Sequence, residues 1–202
     1  SISPGKIVLA PLANLTTGGL ALSASPTRTD GPPLTLAFVG RLAKQKRPDS
    51  FLVLVREAVK AGIPVRAVMH GDGEMQGVVG RIISRYGLND VVELRTPQTP
   101  VEVTLAEANL LVVTSSNEGI TLTTFEALAA GIPVLSTDVG AQAEIVPPDA
   151  LLPRPVRPMV EAAVTALRRL VEPDAREDLL LRERAALARL ETNESADIWM
   201  KD

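Results

Sequence analysis

Cysteine is absent from the sequence. That excludes a disulfide scaffold, a thiolate metal site and a thiol nucleophile. Histidine occurs once, as His70, which excludes a zinc site built from several histidines. Aromatic residues make up 2% of the chain, so base-stacking platforms are not expected and the core must be aliphatic. Neither sign of charge dominates. The 21 basic and 24 acidic residues give a net charge of −3, and nucleic acid is not an expected partner. No apolar run is long enough to span a bilayer. Residues 1–6 lack the basic start and apolar stretch of a signal peptide. These absences predict a cytoplasmic location, with a membrane-peripheral place for a longer enzyme left open. The first residue is Ser1 rather than Met, which suggests a piece of something longer.

What is present is aliphatic. Hydrophobic residues make up 46% of the 202, enough for one large domain with a tail. The run Ile7–Leu12, interrupted by Pro11, reads as an edge strand or a linker. Residues 13–33 are rich in Thr, Ser, Gly and Pro and read as a loop or interdomain linker. Residues 34–190 are expected to form the domain and 191–202 a tail.

From Leu34 onward, short apolar runs alternate with helical patterns. Strands are predicted at Leu34–Val39, Val65–His70, Val91–Leu94, Leu110–Val113 and Val134–Ser136. Their near-continuous apolar character suits strands covered on both faces. Helices are predicted at Pro48–Ala61, Met75–Tyr86, Pro100–Ala106 and Leu122–Ala130. Three of them are closed by Gly62, Gly87 and Gly131. Two further helices, broken near Pro173, fill Pro158–Leu190. Trp199 and Met200 lie in a polar tail. The alternation predicts an α/β fold, a Rossmann-like parallel sheet with helices on both faces.

In such a sheet, ligands bind outside the carboxyl ends of the strands, so the loops there carry the information. The first, Gly40–Arg47, holds Arg41, Lys44, Lys46 and Arg47 within seven residues. It suits an anion, because phosphate is held by Arg forks and Lys point charges. A solvated surface loop is the equal alternative. The fourth loop contains Glu118 and Gly119, and Glu126 follows one turn inside the helix. Orphan N–H groups at that helix start attract phosphate. A diphosphate there would have a carboxylate on each side, and carboxylates accept hydrogen bonds from sugar hydroxyls. Capping electrostatics is the structural alternative for Glu118. Glu126 sits in a mostly apolar setting, where a carboxylate needs a partner. Gly71-Asp72-Gly73 resembles a dinucleotide turn, with Glu93 at ribose-binding distance. The third glycine is missing, since position 76 is Gln, and a tight turn is the favoured reading. His70 is read as structural.

Taken together, these loops resemble the C-terminal domain of retaining GT-B glycosyltransferases, and most of all glycosyltransferase family 4. Four segments between Leu34 and Val146 carry the resemblance. They are Phe38–Leu42 with Lys46–Asp49, His70–Glu74, Glu118–Val134, and Asp138–Gly140 with Glu144–Val146. The resemblance implies a donor-binding domain that transfers a hexose-type sugar from a nucleoside diphosphate to an acceptor hydroxyl. It implies that Arg41 and Lys46 bind the diphosphate and stabilise charge on the leaving nucleotide. Glu118, the third catalytic assignment, would hold hydroxyls of the transferred sugar, and Glu126 those of the ribose. Backbone amides of Ile120, Thr121 and Leu122 would cap the phosphates, with Gly40, Gly71 and Gly119 allowing close approach. The loop Arg95–Gln98, with Arg95 and Thr96 foremost, would lie against the base. No metal and no cofactor is implied.

Two departures are visible. The family usually has an aromatic-Gly pair after Glu-Gly, where this chain has Ile120-Thr121. The family's acceptor-binding N-terminal domain is absent from this sequence, so a partner domain is expected and the chain alone should transfer sugar poorly or not at all. The other readings are a non-catalytic nucleotide-binding or interaction domain, a sugar-nucleotide epimerase of the same fold, and a dehydrogenase built on Gly71–Glu93.

Overall fold

The structure, a computed structural model, describes residues 28–119 and 121–199, with side chains as far as residue 190. The expected edge strand Ile7–Leu12, most of the 13–33 segment, Ile120 and Met200 lie outside the described residues.

Six parallel strands form one sheet. They are β1 (Leu34–Val39), β2 (Val65–His70), β3 (Val92–Arg95), β4 (Leu110–Val113), β5 (Val134–Thr137) and β6 (Leu151–Leu152). Their spatial order is β3-β2-β1-β4-β5-β6. The chain builds outward from β1 to β3, then returns to the other side of β1 to lay down β4. The strand order therefore reverses between β1 and β4, where their carboxyl ends leave a crevice.

Among the described residues, seven helices connect and cover the strands. They are α1 (Pro48–Lys60), α2 (Gln76–Tyr86), α3 (Val101–Glu107), α4 (Leu122–Ala129), α5 (Gln142–Ile145), α6 (Val156–Leu170) and α7 (Pro173–Trp199). Helix α1 packs on α2 and α6, and α7 packs on α4, α5 and α6. Local chemistry sets the ends. Pro48 opens α1 with its φ already helical, and Gly87 closes α2 in the left-handed conformation at φ 65°. The face of α1 buried on the sheet is Phe51, Leu52, Leu54, Val55 and Ala58. The Phe51 ring packs against Phe38 of β1 with centroids 5.5 Å apart and a 51° tilt, one of few ring contacts available to so aliphatic a core. Truncating Phe51 to Ala should cost about 3–5 kcal/mol.

Five strands and the helices between them lie where the sequence predicts, to within a residue or two. Four differences have physical causes. Strand β3 is shifted by one, so that Arg95 is its last residue, paired with His70, and not the first residue of a loop. Strand β6 is two residues long, and α5 four, both too short to leave a pattern. Helix α7 does not end at Leu190 but continues to Trp199. The last residues of the expected linker are fixed. Arg28 N–H donates to the Ala106 carbonyl, Asn109 Nδ2 to Thr29 and an Arg176 nitrogen to Asp30.

No helix among the described residues is long and apolar enough to cross a membrane.

Candidate functional site

The register of β1 and β2 ends with Val39 opposite His70, so Gly40 and Gly71 emerge side by side. Gly40 N–H donates to the His70 carbonyl at 3.0 Å, and Gly71 N–H to the Arg95 carbonyl at 2.9 Å. A Cβ on Gly71 would strike the Gly40 carbonyl oxygen, and one on Gly73 would lie 2.6 Å from the Leu42 carbonyl oxygen. These glycines let two loops touch backbone to backbone. Their amides are spent on strand partners, so these two N–H groups are not free for a ligand. Leu42 N–H and Met75 N–H close the same seam, onto the Asp72 and Leu42 carbonyls.

The β1 loop is also stitched to the β4 loop across the reversal point. Ser116 N–H donates to the Gln45 carbonyl at 2.8 Å, and Gln45 Nε2 to the Asn117 carbonyl at 2.8 Å. Thr114 Oγ1 donates to the carbonyls of Lys46 and Arg47, both at 3.0 Å. The four cations of the β1 loop therefore part ways. Arg47 takes a left-handed backbone (φ 52°) to start α1, and its guanidinium donates to the Arg154 carbonyl at 2.6 Å. Lys44 is exposed. Lys46 turns inward, with Nζ 2.6 Å from Glu118 Oε1. Arg41 is exposed and makes no ion pair or guanidinium hydrogen bond with the described residues.

Glu118 is 8% exposed in its side chain. The Lys46 ammonium lies off a hydrogen-bonding line, so Oε1 keeps an unmet hydrogen-bonding capacity despite the ion pair. Gly140, at φ 55°, presses on this loop from the β5 side, and a Cβ there would lie 2.6 Å from the Glu118 carbonyl oxygen. Thr137 Oγ1 donates to the Ser115 carbonyl at 2.8 Å. Gly140 and Thr137 thus fix the backbone that presents Glu118. Sequence reading named their loops without seeing this contact, because it joins residues 20 or more apart.

Helix α4 begins immediately beyond. Thr121 is its cap residue and Leu122, with a side chain 61% exposed, its first helical residue. Gly119 has open space where a Cβ would stand, so it tolerates more than its role in the motif implies. Ile120 is outside the described residues. Glu126, half-buried one turn inside α4, has no hydrogen bond or ion pair from its carboxylate to the described residues. Burial raises its pKa above the usual carboxylate range, and the nearby charge of Glu102 adds to the effect.

The base-side expectations fare differently. The Arg95 side chain is 11% exposed and held at 2.6 Å by Glu93 and 2.7 Å by Glu107. Its guanidinium is neutralised inside the fold and is not a free group for a base. Thr96 is exposed in the turn that follows. Glu93 also bonds Arg66, so it is not available to a ribose, which removes the basis of the dehydrogenase reading. His70 is buried, with Nδ1 2.9 Å from Thr104 Oγ1, and burial lowers its pKa. It ties β2 to α3, as a structural histidine does. Among the described residues, no group of three or more metal-ligating side chains is gathered.

A parallel sheet reversing between β1 and β4, with a cation and a carboxylate paired there, is the doubly wound fold found in GT-B glycosyltransferases. The sequence profile of the glycosyl transferases group 1 matches residues 24–183, and the chain belongs to that family. A D-inositol 3-phosphate glycosyltransferase of Segniliparus rotundus is 29% identical over 147 residues, 68% of this chain and 33% of that protein. The chain spans about a third of the length of the curated relatives it matches. Among solved structures, a mutant of S. aureus TarM, in complex with fondaparinux, alpha-GlcNAc-glycerol and UDP, superposes with a TM-score of 0.71. It shares 19% identity, over 89% of this chain and 37% of that one. The C-terminal domain of the group 1 glycosyl transferase LpcC from Francisella tularensis gives a TM-score of 0.66 at 17% identity. That match covers 79% of this chain and 86% of that one.

Proposed function

We propose that this chain is the donor-binding half of a retaining glycosyltransferase, which moves a hexose-type sugar from a nucleoside diphosphate to an acceptor hydroxyl. The observation that carries the reading is the meeting of Lys46 and Glu118, 2.6 Å apart, at the start of α4. It brings a phosphate-binding cation and a sugar-binding carboxylate from two loops to one helix end. TarM, which shares the fold, is described in complex with UDP.

In this reading the diphosphate lies against the first turn of α4, whose N–H groups and dipole favour an anion. Arg41 reaches it from the β1 loop, and Lys46 shifts from Glu118 to the phosphates. Glu118 is then free to accept hydroxyls of the sugar, and Glu126 accepts those of the ribose. When the bond from the anomeric carbon to the diphosphate oxygen breaks, the electron pair stays on the nucleotide. Arg41 and Lys46 stabilise that charge as it develops. The acceptor hydroxyl forms the new glycosidic bond and passes its proton to the departing diphosphate oxygen. No cofactor or metal enters the scheme, because cations and a helix end already serve the diphosphate. A second domain supplies the acceptor site, and the chain alone turns over weakly or not at all. The enzyme works in the cytoplasm.

The test is the pair Arg41→Ala and Glu126→Ala in the enzyme that carries this domain. Each should lower kcat/KM for the donor on the order of a hundredfold. If both leave it unchanged, the site is misplaced.

A further inference from the structure

Four threonine hydroxyls buried near the carboxyl ends of the strands have partners. Thr104 bonds His70, Thr114 the carbonyls of Lys46 and Arg47, Thr124 the Gln142 side chain, and Thr137 the Ser115 carbonyl. Thr121 is the exception. It is 5% exposed, and its Oγ1 is buried with no hydrogen-bond partner among the described residues. Its position makes this unusual. Thr121 is the cap residue of α4 with an extended backbone (φ −95°, ψ 95°), where a threonine oxygen ordinarily accepts an N–H of the first turn. Here it makes no such bond. Three residues earlier, Glu118 Oε1 is buried too, but it has the Lys46 ammonium 2.6 Å away. An unmet hydroxyl beside a helix start calls for a partner that the described residues do not supply.

We propose that the Thr121 hydroxyl is itself a ligand to the donor diphosphate, a side-chain contact beyond the backbone amides of the α4 start. The inference rests on the donor-site reading above. The hydroxyl stands at the positive end of α4, so an oxygen that accepts from it is drawn by the helix N–H groups as well. A charged phosphate oxygen gains more from such a donor than a neutral sugar oxygen does.

The test is calorimetric titration of the 202-residue chain and its Thr121→Val, Thr121→Ser and Arg41→Ala variants. The probes are UDP, GDP, ADP and TDP, with their sugar conjugates. For whichever diphosphate binds, Thr121→Val should weaken the unconjugated nucleotide at least about tenfold, and Thr121→Ser should preserve it. The melting temperature of empty Thr121→Val should be unchanged or higher, since the variant removes a buried unpaired group; a merely structural hydroxyl would lower it. If Arg41→Ala weakens binding and Thr121→Val does not, the hydroxyl assignment fails and the donor site stands. If Thr121→Val weakens only the sugar conjugates, the hydroxyl serves the sugar and the phosphate assignment is overturned. If no diphosphate binds the folded wild type, or if neither Arg41→Ala nor Thr121→Val changes binding, the donor-site reading falls with it.

Discussion

The two ends of the sheet use the same residue types in opposite ways. At the amino end, charged side chains are committed to the fold. Arg28 donates to the Gly131 carbonyl at 3.1 Å, Arg176 to Leu170 and Val171 at 2.8 and 2.7 Å, and Arg184 to Leu128 at 2.6 Å. These carbonyls close α4 and α6, where guanidinium groups offset the helix dipole. Glu183 of α7 is fully buried and accepts the Val134 N–H at 3.0 Å, giving β5 a partner where short β6 provides none. At the carboxyl end, Arg41 and Glu126 have no charge partner and Thr121 Oγ1 has no hydrogen bond among the described residues. Composition does not separate a structural arginine from a ligand-binding one. What separates them is whether the protein itself completes the group.

That contrast can be broken most severely at the loop contacts. Gly71→Ala sets a methyl against the Gly40 carbonyl and Gly140→Ala sets one against Glu118 and Gly119. Each should destabilise by about 3 kcal/mol in denaturant melts and abolish nucleotide binding. A wild-type melting curve with Gly71→Ala would show that the two loops do not need this close approach.

Next comes the free cation. Arg41→Lys keeps the charge but loses the planar fork, so donor kcat/KM should fall roughly tenfold or more, with the melting temperature held. Arg176→Lys at the other end should do the reverse, since its guanidinium spans the Leu170, Val171 and Asp30 carbonyls. If both variants changed stability and neither changed activity, the distinction between the two ends would collapse.

The two carboxyls sharpen the comparison through pH. Burial raises the Glu183 carboxyl to about 9, so it stays protonated at neutral pH. The folded state then holds a proton that the unfolded state releases near the usual carboxylate value. The Glu183 contribution is fully present below that value and is lost progressively as pH rises toward 9. Glu183→Gln should keep the Val134 bond and flatten that slope in melts from about pH 5 to about pH 9. For Glu126, the proposed function puts the effect on binding, with the ionised form as the acceptor of ribose hydroxyls. Nucleotide affinity should decline on acidification at a higher pH than an ordinary carboxylate would give. Glu102→Gln removes a neighbouring negative charge and should move that decline to lower pH. An unchanged midpoint would mean that Glu102 does not act on the site.

The smallest effect belongs to neither end. Arg157 and Glu161 form an exposed pair on α6, 90% and 65% open to solvent. Arg157→Ala should change stability by less than about 0.5 kcal/mol and leave binding alone.

Much of the fold was legible residue by residue. Pro48 and Gly87 mark helix ends, and runs such as Leu34–Val39 have the continuous apolar character of a covered parallel strand. The donor loops could be placed because parallel strands put their ligand chemistry at one edge. Strand β6 was not legible, since Leu151–Leu152 pairs only because β5 is already there. Arg95 was read as a loop cation. Its true neighbours, Glu93 and Glu107, are gathered by β3 and α3.

The sequence by itself determined the alternation of strands and helices, the glycines where backbones must touch, and the charges at the β1 and β4 loops. Those follow from local preference and periodicity. Only the tertiary structure decided which charges stay available. Of four cations in Gly40–Arg47, Arg47 went to the Arg154 carbonyl, Lys46 to Glu118, and Arg41 and Lys44 were left open. That division depends on distances between residues far apart in the chain, set by the packing of β1 beside β4 and of the segment after β6 against the start of α1.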